Sequence, residues 1–250
     1  MKNILKDKVK NAVPFAGVTL NLGSARASEI LARSGFDFLM VDLQHGNFDK
    51  NSATDSIHTI LATQTVPLAR VADNTPGAIN DVLDAGALGV VIPMVDCADD
   101  ARRAITSALY PPLGKRSKGG AAPIIYGDDY AQKANDEIMI IVMIETADAV
   151  RNVEEIFAVK GISACLVGTS DLSLDMGCAR DSDELREAIS AVIAAGKQYG
   201  VPVGSAVGST QEITKFPNPK PAFYLISHDQ GILKTAGAKL AQDLMAAMER

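Results

Sequence analysis

Phe36-Asp37-Phe38-Leu39-Met40-Val41 is a short apolar run that ends on Asp42-Leu43-Gln44-His45-Gly46, passes into helical spacing over Ser52–Thr63, and returns as a second run, Val66-Pro67-Leu68-Ala69-Arg70-Val71. Runs this short and this apolar belong to strands buried on both faces. When helices separate them, such strands lie parallel. Outward from this unit the rhythm repeats. Further strand-like runs stand at Phe15–Leu20, Leu88–Val95, Ile138–Ile144, Ala164–Val167, Val201–Val203 and Ala222–Ile226. Between and after them lie helical segments at Ser24–Arg33, Pro76–Asp84, Ala98–Leu109, Ala147–Val159, Asp183–Tyr199, Thr210–Phe216 and Lys234–Met248. Eight strand–helix pairs in 250 residues predict one α/β domain, a single (β/α)8 barrel of parallel strands over residues 1–250. The rival, a doubly wound sheet, wants a glycine-rich first turn, whereas here that turn reads Asn21-Leu22-Gly23-Ser24.

Composition removes several function classes. The formal charge of −6 leaves no electrostatic footprint for nucleic acid or an anionic membrane. Trp is absent, which argues against a platform for stacking bases. The three cysteines, Cys97, Cys165 and Cys178, have neither the number nor the spacing of a disulfide framework or a zinc site. The longest apolar run, Ile138–Ile144, is far short of the ~20 residues that span a bilayer. Met1–Lys10 alternates lysines with apolar residues and lacks a signal-peptide core, so a cytoplasmic protein is expected. The one long connection, Tyr110–Asp136, opens on Tyr110-Pro111-Pro112-Leu113-Gly114-Lys115-Arg116-Ser117-Lys118-Gly119-Gly120. That stretch reads as a flexible lid or as a basic loop closing over an anionic substrate. It lacks the residue order of a P-loop.

In a barrel, catalytic side chains stand at the C-terminal ends of the strands. Those positions hold Asp42, Gln44 and His45 after the second strand, Arg70 at the third and Pro93-Met94 at the fourth. Glu145 ends the fifth, and Gly168-Thr169-Ser170-Asp171 ends the sixth. Two carboxylates on neighbouring strands suit a hard divalent cation that keeps positions open for a chelating substrate. Each residue also has a plain structural role open to it. Asp171 can cap a helix, Glu145 can favour a helix N-terminus, His45 can be a structural hydrogen bonder, and Arg70 can pair with an acid. Their coincidence at successive strand ends favours chemistry. His58 reads as solvated or packed, and His228, after the eighth strand, is a weaker second candidate.

Through these residues the chain resembles the HpcH/HpaI aldolase family, the metal-dependent pyruvate aldolases. The matching segments run from Gly35-Phe36-Asp37-Phe38 through Val41–Gly46 and Val66–Val71. They continue through Asp84-Ala85-Gly86-Ala87, Ile92–Val95, Tyr110–Arg116 and Ile144-Glu145-Thr146 to Val167–Ser173. The resemblance implies a barrel that holds Mg2+, Mn2+ or Co2+ through Glu145 and Asp171. It also implies that the carboxylate and keto oxygens of pyruvate, or of the pyruvyl end of a 2-keto-4-hydroxy acid, chelate that ion. Arg70 would hold the keto oxygen, and a base would act near His45 and Asp42. Cleavage of C3–C4 would then yield pyruvate and an aldehyde by way of an enolate, with backbone N–H groups of Ser170 and Asp171 at the substrate carboxylate. Asp84 matches a family acid that pairs with the active-site histidine. Sitting at the end of a helix on the far side of its own barrel, it could reach His45 only in a neighbouring copy. A homo-oligomer, trimer or hexamer, is therefore expected. The chain departs from the better-known members in three places: Gln44 stands for Glu, Met143 for Gln and Thr169 for Pro. Two other readings remain at this level, a citryl- or malyl-CoA lyase-like enzyme with Lys115–Lys118 as its phosphate patch, and a non-catalytic keto-acid binder. A Schiff-base aldolase is disfavoured because no lysine ends an inner strand.

Overall fold

A computed structural model describes residues 1–216 and 218–248. Its eight strands are β1 (Phe15–Leu20), β2 (Phe38–Asp42), β3 (Val66–Arg70), β4 (Gly89–Ile92), β5 (Met139–Ile144), β6 (Ala164–Val167), β7 (Val203–Val207) and β8 (Phe223–His228). They pair in parallel in chain order and close with β1 against β8, the (β/α)8 barrel expected from the sequence. The helices are α1 (Ile4–Lys10), α2 (Ala25–Ala32), α3 (Lys50–Leu61), α4 (Pro76–Asp84), α5 (Ala98–Ala108), α6 (Ala122–Tyr126), α7 (Tyr130–Glu137), α8 (Ala147–Arg151), α9 (Val153–Phe157), α10 (Thr169–Asp175), α11 (Asp183–Tyr199), α12 (Thr210–Lys215) and α13 (Asp229–Met248). Ser24, Asp49, Thr75, Thr146 and Ser182 cap their helices by accepting a backbone N–H through a side-chain oxygen. No helix among the described residues is long and apolar enough to cross a membrane.

Alternation along the strands divides the core in two. Leu39, Val41, Ala69, Val90, Ile140 and Val142 face outward and pack with the helices. Phe38, Met40, Leu68, Val91, Met139 and Ile141 belong to the separate cluster inside the barrel. Near its N-terminal end the interior is filled by Phe15 and Phe223, stacked with centroids 4.9 Å apart, with Phe38 set edge-on to both. Glycine makes the room, since a Cβ on Gly17 would stand 2.4 Å from the Phe38 ring and one on Gly204 2.4 Å from that of Phe223. The same two-residue period that turns Phe38 and Met40 inward turns Asp42 inward one step later. It does the same for Arg70 after Leu68 and for Glu145 after Ile141 and Met143.

Several elements differ from the sequence expectation, each for a physical reason. β7 extends to Val207 through Gly204, Ser205 and Ala206, small residues that form no apolar run, and Gly204 stands against the Phe223 ring. α1 plugs the N-terminal end of the barrel through fully buried Leu5. The Asn3 side chain there donates to the carbonyls of Leu88 and Glu137 at 2.8 and 2.9 Å. The span Ala147–Val159 is two short helices that meet at Asn152.

The connection after α5 holds two helices, α6 and α7, and it is no lid over this chain's own site. It runs from the end of a helix to the start of β5, the face opposite the strand C-termini. Arg116 anchors it. This side chain is fully buried over the rings of Tyr110 and Tyr130, at 4.7 and 5.5 Å, and its Nη2 donates to Asp84 Oδ1 at 2.8 Å. Ala121 N–H donates to the Asp84 carbonyl at 2.8 Å, strapping the loop to the end of α4. Arg116→Ala is expected to cost about 3 kcal/mol, through lost stacking and packing more than through the partly exposed Asp84 left behind. A denaturant melt with unchanged slope checks this, and a variant as stable as wild type would contradict the anchoring role.

Candidate active site

The inward step beyond each apolar layer brings three polar side chains, Asp42, Arg70 and Glu145, to the C-terminal mouth. Asp42 is fully buried and accepts five hydrogen bonds. Arg70 supplies Nε at 2.9 Å and Nη2 at 2.6 Å, Asn21 supplies Nδ2 at 2.9 Å, and the N–H groups of Gln44 and His45 donate at 3.0 and 3.3 Å. Burial alone would raise the Asp42 pKa, but the paired guanidinium and the two backbone donors hold it below the ordinary range. With its carboxylate so committed, Asp42 orients Arg70 and leaves Nη1 without a partner among the described residues. The plain ion-pair reading of Arg70 is therefore realised, and it leaves donors over for a ligand.

Glu145 lies nearby and is 2% exposed. Its Oε2 accepts the N–H of Met94 at 3.0 Å. Met94 holds a left-handed φ of 52°, uncommon for a side chain of its size, and this turn aims the N–H at Glu145. Burial raises the Glu145 pKa, Met94 and the Arg70 charge pull it back, and Asp171 and Asp96 push it further up. Asp171 stands exposed in the first turn of α10, and its charge is one of those that raise the Glu145 pKa. Oε1 of Glu145 faces Gly168, where an added Cβ would stand only 2.6 Å away. No cluster of three or more His, Cys, Asp or Glu side chains stands ready for a metal among the described residues. A buried carboxylate with a free oxygen and an exposed second carboxylate form a two-ligand hard-oxygen set. Such a set fits Mg2+ or Mn2+ if a chelating substrate and water fill the rest.

The mouth cavity, about 360 Å³, is lined by Asn21, Asp42, His45, Arg70, Ser170 and His228 among others. That volume lies within the roughly 300–1,000 Å³ of small-molecule sites. His45 is exposed at the rim and its ring has no partner among the described residues. Gln44 does not line the cavity, and its Oε1 is buried without a donor. Asp84 is not brought to His45 within the chain, being held by Arg116 on the opposite face. Lys115–Lys118 follow it there, away from this mouth. His58 bonds the Ala85 carbonyl at 3.0 Å, remote from the site, whereas Nδ1 of His228 accepts the Gly231 N–H at 3.1 Å on the cavity wall.

Sequence reasoning missed two supports. Asn21 steadies Asp42, and buried Asp229 accepts the N–H groups of Asn21 and Leu22 at 2.9 and 3.0 Å. Asn21 directly after the first strand and Asp229 directly after the eighth were the available signals.

A closed parallel barrel thus presents two acids, a clamped guanidinium and an imidazole at one end. The chain belongs to the HpcH/HpaI aldolase/citrate lyase family, whose profile matches residues 16–216. It is 32% identical over 247 residues to a 4-hydroxy-2-oxo-heptane-1,7-dioate aldolase of Escherichia coli, covering 96% of this chain and 94% of that one. A crystal structure of a family protein from Burkholderia cenocepacia superposes with TM-score 0.92 at 31% identity, covering 98% of this chain and all of the other. An HpcH/HpaI aldolase from Desulfitobacterium hafniense gives TM-score 0.90 at 28% identity, over 96% of each chain.

Proposed function

We propose that this lyase cleaves, and in reverse forms, the C3–C4 bond of a 2-keto-4-hydroxy acid, giving pyruvate and an aldehyde. The observation that carries the reading is the shared inward phase of Asp42, Arg70 and Glu145, which sets a clamped guanidinium beside a buried carboxylate under His45. A divalent ion held by Glu145 and Asp171 would draw electron density from the keto oxygen of the substrate. Arg70, with its Nε side fixed by Asp42, donates from Nη1 to that same oxygen as enolate charge grows on it. His45 takes the proton of the 4-hydroxyl, the C3–C4 bond breaks, and its electron pair enters the C2–C3 enolate as the aldehyde leaves. Protonation at C3 completes pyruvate. Ser170 N–H, in the uncapped first turn of α10, meets the substrate carboxylate.

Chelation tests this directly. Treatment with EDTA is expected to bring both aldol cleavage and pyruvate C3 proton exchange in D2O to background, with recovery on adding Mn2+ or Mg2+. Full activity in rigorously metal-free protein would overturn the mechanism. A mere keto-acid binder would show no exchange under any condition.

A homo-oligomer belongs to the same proposal. The carboxylate of Asp42 is spent on Arg70, so no acid among the described residues pairs with the His45 ring, while Asp84 meets Arg116 through Oδ1 alone. α13 leaves Leu233, Leu240, Leu244 and Met248 57–72% exposed, an apolar face that a second copy would cover. Sedimentation at assay concentration checks it, and a fully active monomer would exclude it.

A further inference from the structure

Arg180 follows α10 and lines the mouth cavity together with Arg70, His45 and Ser170. Each of the other eight described arginines has a carboxylate within 4.0 Å, and Arg180 has none among the described residues. It is nevertheless held. Its Nη2 donates to Thr169 Oγ1 at 3.3 Å, and that buried hydroxyl donates in turn to the Ala206 carbonyl on β7 at 3.2 Å. Arg180 and Ala206 also line an adjoining side cavity of about 180 Å³. Leu185, Ile189 and Phe216 give that cavity an apolar wall, with Asp181, Arg186, Glu212 and Lys215 also lining it. Oε2 of Glu212 accepts the Gly208 N–H at 3.0 Å, and Arg186 pairs with Asp183. An exposed guanidinium without a carboxylate partner among the described residues thus stands where the mouth cavity meets a partly apolar chamber.

We infer that Arg180, positioned by Thr169, selects an aldehyde partner that carries a carboxylate at its far end. The inference rests on the lyase reading for the place of the keto-acid head. A guanidinium presents a planar fork matched to two carboxylate oxygens, which a neutral chain end cannot use.

The test compares two keto acids of equal length, 2-oxoadipate and 2-oxohexanoate, titrated calorimetrically into the protein with Mn2+ present. They share the head group and differ only in the terminal carboxylate. Wild type is expected to prefer 2-oxoadipate, and Arg180→Ala to shrink the ratio of the two dissociation constants about tenfold. Arg180→Lys should restore part of the ratio. Thr169→Val should move it in the same sense as Arg180→Ala, and Thr169→Ser should bring it back, which a purely structural role for Thr169 would not do. The ratio of kcat/KM for succinic semialdehyde to that for butanal, each with pyruvate, should follow the same order. A wild type without preference, or an unchanged ratio in an Arg180→Ala protein with a wild-type melt, overturns the inference. Absence of aldol turnover with every aldehyde would instead sink the lyase reading, and the binding ratio would still judge Arg180. If neither acid binds, both fall.

Discussion

Arg70→Lys is expected to lower aldol cleavage and pyruvate proton exchange together, by about 10²–10³-fold, the usual effect of losing one oxyanion donor. Both reactions pass through the same enolate, so one lost donor depresses both. The structure adds a second consequence. Asp42 is fully buried and takes two bonds from Arg70, at 2.9 and 2.6 Å, and a lysine can replace only one of them. The variant should therefore also lose about 1–3 kcal/mol of stability, the range for a buried polar group left partly unsatisfied. Asp42→Asn separates the two roles. It keeps the shape and much of the hydrogen bonding but releases the clamp, so the fold should suffer moderately while the rates fall with Arg70 misoriented. Measuring both rates beside a thermal melt decides the matter. Arg70→Lys with near-normal exchange would remove Arg70 from the chemistry and leave it only the ion pair.

Glu145→Gln is expected to abolish the rise in melting temperature on adding Mn2+ and to cut turnover roughly a thousandfold, the several kcal/mol that a bound cation lends to a developing oxyanion. The metal-free protein should behave in the opposite way. The Glu145 pKa is raised in the folded state, by burial first and then by Asp171 and Asp96 against the pull of Met94 and Arg70. An acid held above its unfolded value binds its proton more tightly when folded. Its ionisation therefore lowers stability as pH climbs from the ordinary glutamate range through the raised value, and the loss is complete above it. Glutamine carries no such charge, so metal-free Glu145→Gln should melt no lower than metal-free wild type at neutral pH. Any excess in its melting temperature should vanish in acid. A variant that still gains stability with Mn2+ would take Glu145 out of the ion-binding role.

The barrel and the ring of polar residues at its mouth were legible in the chain because both follow from one short-range rule. A strand alternates its faces every two residues, so Asp42 shares the phase of Phe38 and Met40, and the same count puts Arg70 with Leu68 and Glu145 with Ile141 and Met143. What the alternation cannot state is which partner meets an inward group. Asp42 is 28 residues from Arg70 and 21 from Asn21, and only closure of the sheet in register sets Asp42 opposite Arg70. Glu145 finds its backbone donor 51 residues away at Met94, on a turn whose left-handed conformation no residue type announces. The basic loop Tyr110–Gly120 shows the limit from the other side. Its composition suits a lid, but helices run antiparallel to strands in a barrel, so a loop that follows a helix is delivered to the face away from the chemistry. There Arg116 is sealed between two tyrosines and tied to Asp84. Position along the strand is a local property, written in the sequence. Which end of the barrel a loop reaches, and which distant side chain completes a buried charge, exist only once the eight strands have closed on themselves.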